Sequence, residues 1–188
     1  MSEGLDRLLP RYQFSEHHRT VVRASPAEVF RALEAVDLTD SGLARGLMAL
    51  WRIPARLFMA NVPSRPMSVR DFIPLAHEPP RELVRGLIAG PPRREWTSEE
   101  FIAYDGPGFK LAWSFWLTDL GEGRCRVDTE TRVLCNDAKT KRWFTLYWII
   151  IRLPSGAIRR DLLRIIKRRA EGLHLGSCVD GSRFARDF

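Results

Sequence analysis

Arg126-Val127-Asp128-Thr129-Glu130-Thr131-Arg132-Val133 alternates like a strand and runs into a long helical stretch, about Asp137 to Glu171. The helix carries Trp143, Phe144, Tyr147, Trp148, Ile150 and Ile151, and its pattern is broken once, at Pro154-Ser155-Gly156. An aromatic helix that follows a series of strands must bury one side against their sheet. Proline removes a backbone donor, so a kink is expected there, with Ser155 capping the second half. The stripe resumes at Ile158, Leu162, Ile165 and Ile166.

Upstream of this stretch the chain reads mainly as hairpins. Arg124 to Cys135 pairs with Phe109 to Thr118 across the turn Asp119-Leu120-Gly121-Glu122-Gly123. Phe109, Leu111, Trp113, Phe115 and Leu117 share one side of their strand, because successive side chains point to opposite faces. Ser68 to Leu75 and Arg81 to Ala89 form a second hairpin around His77-Glu78-Pro79-Pro80, and Glu99 to Tyr104 reads as a short strand. His17 to Ala24 is the first strand. Ser25, Pro26 and Glu28 then make a capping box for a helix carrying Val29, Phe30 and Leu33. A second short helix is expected at about Ser41 to Trp51. Ala55 to Val62 reads as helix or loop. The class is therefore α+β: strand, two short helices, antiparallel strands, one long helix.

In these residues the chain resembles the SRPBCC superfamily, the START and polyketide cyclase-like proteins. The resemblance rests on Arg81-Glu82-Leu83-Val84-x-Gly86, Thr129-Glu130-Thr131-Arg132-Val133, Asp137, Phe144, Tyr147-Trp148, Ser155-Gly156-x-Ile158-Arg159-Arg160 and Lys167 through Glu171. It covers about residues 10–171 and points to a bacterial branch that carries no function over. It implies a helix-grip fold, a curved antiparallel sheet wrapped around the C-terminal helix with a cavity between them. The expected division is an N-terminal extension (1–16), one domain (17–171) and a flexible tail (172–188).

The chain has 188 residues, 45% apolar and 28% charged, enough for one ordinary core. Its charge is +7 and its pI about 9.9, but no basic run has a nucleic-acid signature. Cys125, Cys135 and Cys178 form no even framework and no metal spacing, so they read as reduced thiols. Met1 to Pro10 has acidic residues and no apolar core, so no secretory signal is expected there, and the apolar run Trp143 to Leu153 is too short to span a bilayer. A cytoplasmic location is expected.

A cavity between sheet and helix would be lined by Leu111, Trp113, Phe115, Thr129 and Thr131 from the strands and Tyr147 and Ile151 from the helix. That lining suits a small hydrophobic or amphipathic ligand; the alternative is a solid core. Glu130 and Arg132 lie two apart on one strand face. Facing the cavity they would form a buried pair and the best acid–base candidates; facing away they would be solvated. The Val127, Thr129, Thr131, Val133 alternation favours the second. His17, His18, His77 and His174 sit at no metal spacing, so no metal or cofactor is expected. Three readings follow: a non-catalytic binder or carrier, a cyclase- or hydrolase-like enzyme using Glu130, Arg132 or Tyr147, and a membrane-surface or protein-interaction module using the basic C-terminal helix. No nucleic-acid partner is expected.

Overall fold

The computed structural model describes residues 2–46, 71–91 and 94–184, with side chains through Leu173. The expectations for residues 47–51, Ala55 to Val62 and 68–70 lie outside the described residues. The elements are α1 (Glu3–Leu8), β1 (Phe14–Val22), α2 (Pro26–Glu34), a 3-10 turn (Leu38–Asp40), β2 (Ile73–Glu78), β3 (Glu82–Ala89), α3 (Ser98–Ala103), β4 (Phe109–Gly121), β5 (Arg124–Cys135) and α4 (Ala138–Phe184). The five strands form one antiparallel sheet in the order β1-β5-β4-β3-β2. This is the expected α+β, helix-grip-like arrangement.

One face of the sheet, here the front, packs α2 and α4. Val22, Leu83, Trp113, Phe115, Cys125 and Val127 meet Val29, Phe30 and Leu33 of α2 and Leu162, Leu163 and Ile166 of α4. The capping box of α2 is formed as read: Ser25 Oγ accepts from the Glu28 amide, and Glu28 reaches back to Ser25. Asp137 stands immediately before α4 and caps it, accepting from the Thr140 amide at 2.7 Å. The helix then continues through Pro154 without a break. One missing N–H removes one rung of the ladder, and the turns on both sides are held by packing. Ser155 is thus inside the helix rather than a cap. The helix also runs past Glu171, where the apolar pattern stops, to Phe184.

The back face is covered too, which the sequence reading did not anticipate. Residues 1–16, expected as an extension, supply α1 and the start of β1. Leu5, Leu8 and Leu9 pack with Val84, Ile88, Ala112 and Phe101. Phe101 belongs to α3, where a strand was expected over Glu99 to Tyr104; Thr97 and Glu100 make a capping box that starts a helix instead. Two strand charges anchor α1. Glu82 accepts from Ser2 Oγ and from the Gly4 amide at 3.0 Å, and Arg132 reaches Asp6 at 2.7 Å.

Candidate functional site

The front face is not uniformly apolar. Phe14, Phe109, Val133, Phe144, Tyr147 and Trp148 form one cluster near the start of α4. Trp113, Phe115, Val127, Leu162 and Ile166 form another further along. Between them runs a belt of polar side chains, fixed by strand register. Glu16 is opposite Thr131, Thr131 opposite Trp113, and Trp113 opposite Arg85. The four residues thus sit side by side across β1, β5, β4 and β3, and all share the front face.

At the β1 end the belt is closed by α4. Arg159 donates to one oxygen of Glu16, and His18 Nε2 lies 2.8 Å from the other. Gly156 makes this approach possible: a Cβ there would stand 2.6 Å from Glu16 Oε1. Burial lowers the Arg159 pKa, although Glu16 beside it opposes the shift. Nearby, burial pushes the Tyr147 hydroxyl up to about 12, with the Arg159 charge pulling weakly the other way. Glu16, His18 and Arg159 therefore satisfy one another.

In the middle, Trp113 Nε1 donates to Thr129 Oγ1 at 2.8 Å, and Thr129 Oγ1 donates to the Ser114 carbonyl at 2.8 Å. Thr131 Oγ1 is buried without a hydrogen-bond partner. The β3 end is open in a different sense. Arg85 Nε is also buried without a partner. Arg85 lines a void of about 20 Å3 together with Leu33, Leu83, Trp113, Phe115 and Leu162. That volume is about what one water requires. A buried, unbonded guanidinium nitrogen is costly, so this position carries a demand for an acceptor that the described residues do not meet. A wider hollow of about 550 Å3 near Tyr12, Tyr104, Lys110 and Asn136 is open to solvent, and its Lys110 ammonium is held by the Ile102 carbonyl at 3.0 Å.

The expected lining residues are thus only partly gathered. Trp113 and Phe115 border the void; Thr129 and Thr131 lie in the belt beside it. Leu111 is partly buried between the two apolar clusters. Tyr147 packs on Phe144 in the other cluster, at 5.5 Å between ring centroids, and does not reach the void. Ile151, next along the same side of α4, is half-buried and does not line it either.

Glu130 and Arg132 face the back, the side favoured from the alternation, but the solvated state expected for that side is wrong. Arg132 is only 4% exposed, because α1 lies over it. It bonds Glu130 at 2.7 Å and Asp6 at 2.7 Å, approaches the Leu9 carbonyl at 3.5 Å, and stacks under the Tyr12 ring at 4.7 Å. Burial works against its charge, and the bonds to Glu130 and Asp6 outweigh that effect, so its pKa is raised. This pair anchors α1; it is not part of the front-face site.

The reading from sequence missed Arg85, Glu16, His18 and Arg159. Arg85 had a signal: in Leu83-x-Arg85-x-Leu87 a cation interrupts an inward-facing alternation. Glu16 was lost because β1 begins at Phe14, three residues before the expected start, and His18, inside the expected strand, was weighed only as a metal ligand. Among the described residues no cluster of His, Cys, Asp and Glu could hold a metal ion, and no helix is long and apolar enough to cross a membrane.

No family model matches the sequence, and no curated protein does. Among solved structures the chain is similar to TTHA0849 from Thermus thermophilus, at 13% identity and a TM-score of 0.35, over 85% of this chain and 99% of that one. A likeness that weak settles neither fold nor function.

Proposed function

We propose that the protein is a cytoplasmic, SRPBCC-like, non-catalytic binder of a small amphipathic molecule with an anionic head. The apolar body would lie among Trp113, Phe115, Leu33 and Leu162, and the head would meet Arg85. One observation carries this reading: the buried guanidinium nitrogen of Arg85 has no partner and borders the front-face void. A carboxylate, sulfonate or phosphate would supply the charge-assisted hydrogen bonds that such a group needs. The void of about 20 Å3 is far smaller than any such ligand. Binding therefore requires Leu33, in the last turn of α2, and Val36, just past its end, to part from the sheet.

The belt has no need of chemistry to explain it. Its Glu16, His18 and Arg159 groups are mutually paired, and Glu130 and Arg132 serve the other face. The test uses anilinonaphthalene sulfonate, which combines an apolar ring system with an anion. Saturable binding that falls at least about tenfold in Arg85→Met supports the reading. Binding by a neutral analogue equally well, or binding indifferent to Arg85, sinks it. Native mass spectrometry of the purified chain shows whether an anionic amphiphile is already carried.

A further inference from the structure

We propose that the outward side of α4 docks on an anionic lipid bilayer. Trp143, Leu146, Ile149, Ile150 and Leu153 are 63%, 57%, 68%, 74% and 78% exposed. Their spacing is helical, and at 3.6 residues per turn they fall within an arc of about 120°. They are a contiguous stripe, not scattered surface residues, about 15 Å long at the rise of an α-helix. Apolar stripes of that kind on a protein surface mark a contact.

The charges around the stripe choose the occupant. Residues 138–160 contain no Asp or Glu. Lys139 and Arg142 stand at one end of the same arc, and Arg160, Arg164 and Arg168 continue it beyond Leu153. All five are exposed. None is ion-paired within the described residues, unlike Arg159 and Arg169, which bond Glu16 and Asp40. Asp161 and Glu171 share the arc, but Asp161 is turned to Ser41 Oγ at 2.6 Å and Glu171 is held by the Arg23 amide at 3.0 Å and by Lys167. One side of a single helix thus offers aliphatic and indole groups followed by free cations. This is the pattern of a helix that lies in a headgroup layer, with the apolar part sunk toward the acyl chains and the cations on anionic headgroups. A second copy of the chain fits poorly, because pairing two such faces sets cations against cations, and the carboxylates of the arc, Asp161 and Glu171, already have partners.

The experiment is flotation of the whole chain with vesicles of phosphatidylcholine, with and without phosphatidylserine. The expected result is binding to the phosphatidylserine vesicles only, weakened by salt as screening requires. Ile150→Glu with Leu153→Glu should abolish it. Arg164→Ala with Arg168→Ala should weaken it by roughly tenfold. All four positions are exposed, so circular dichroism and thermal midpoints should be unchanged and loss of binding is not loss of fold. Failure to float with either vesicle overturns the proposal. So does flotation that the variants leave untouched, or a lipid-free dimer that Leu153→Glu dissolves, which would show that a second copy covers the stripe. Arg85 is not involved, so this result and the ligand test are independent.

Discussion

Arg132 and Arg85 are both guanidinium groups set in the middle strands of one sheet, on opposite faces, and they differ in everything that surrounds them. Arg132 has two carboxylates, a carbonyl and an aromatic ring around it. Arg85 has leucines, Trp113 and a void, and its Nε is unbonded. The first is a fixture of the folded chain: it ties α1 to the sheet through Asp6 and the Leu9 carbonyl. The second keeps a guanidinium nitrogen without an acceptor beside the void, the position where we propose that an anion binds. Arg132 is buried and Arg85 half-buried, and the bonds each makes separate them further.

The comparison breaks most visibly at Arg132. Arg132→Leu leaves Glu130 and Asp6 without their cation beneath α1, so it should cost about 3–5 kcal/mol in urea denaturation. A loss under about 1 kcal/mol, the value of an exposed pair, would mean that α1 does not seal this face. Trp113→Ala probes the packing beside Arg85. It removes a large buried ring and the bond to Thr129, for about 3 kcal/mol, and it enlarges the void. Anilinonaphthalene sulfonate should then bind more readily rather than less. Arg85→Met is the opposite case to Arg132→Leu: replacing a half-buried guanidinium whose Nε is unsatisfied by an apolar side chain should be neutral or stabilising, within about 1 kcal/mol. A large destabilisation would give Arg85 a partner and end the contrast.

Asp137 supplies the smallest and most specific test, a charge whose partners are backbone amides rather than a guanidinium. Hydrogen bonds from the Thr140 and Gly108 amides, and from the Thr140 hydroxyl, hold its pKa down from 3.8 to about 2. The folded state therefore binds this proton less readily than the unfolded state. Its contribution is complete above pH 3.8 and fades as pH falls through about 2. Asp137→Asn should flatten the acid limb of stability in that window and leave the Arg132–Arg85 difference at neutral pH untouched.

How far the sequence discloses this molecule follows from which forces are local. The alternation Phe109 to Leu117 and the bounds Arg124 to Cys135 were legible because one side of each strand is buried against α2 or α4, and a period of two records that directly. The capping boxes of α2 and α3 are equally local. The first was read; the second, Thr97 with Glu100, was overridden by the β-like residues Phe101 and Ile102. The state of Arg132 was not legible, because it is decided by Asp6, 126 positions away, and nothing near Arg132 records that a helix will lie over it. Pro154 misled in the other direction. Its local preference against helix is real, but the packing of Phe144 and Trp148 before it and Leu162 and Ile166 after it keeps the helix unbroken.

The clasp on α1 has a consequence for the order in which the chain can fold. Ser2 and Gly4 wait for Glu82, and Asp6 waits for Arg132. The hairpins β2–β3 and β4–β5 close within a few tens of residues, whereas α1 has no surface to rest on until most of the sheet exists. Contacts with such long loops are the slow ones, since their closure entropy must be met before they stabilise anything. The segment that carries α1 precedes every strand in the sequence and is thus among the last to be secured. In pulsed hydrogen exchange during refolding, the amide of Leu9, bonded to the Leu5 carbonyl at 2.8 Å, should gain protection after those of β4 and β5.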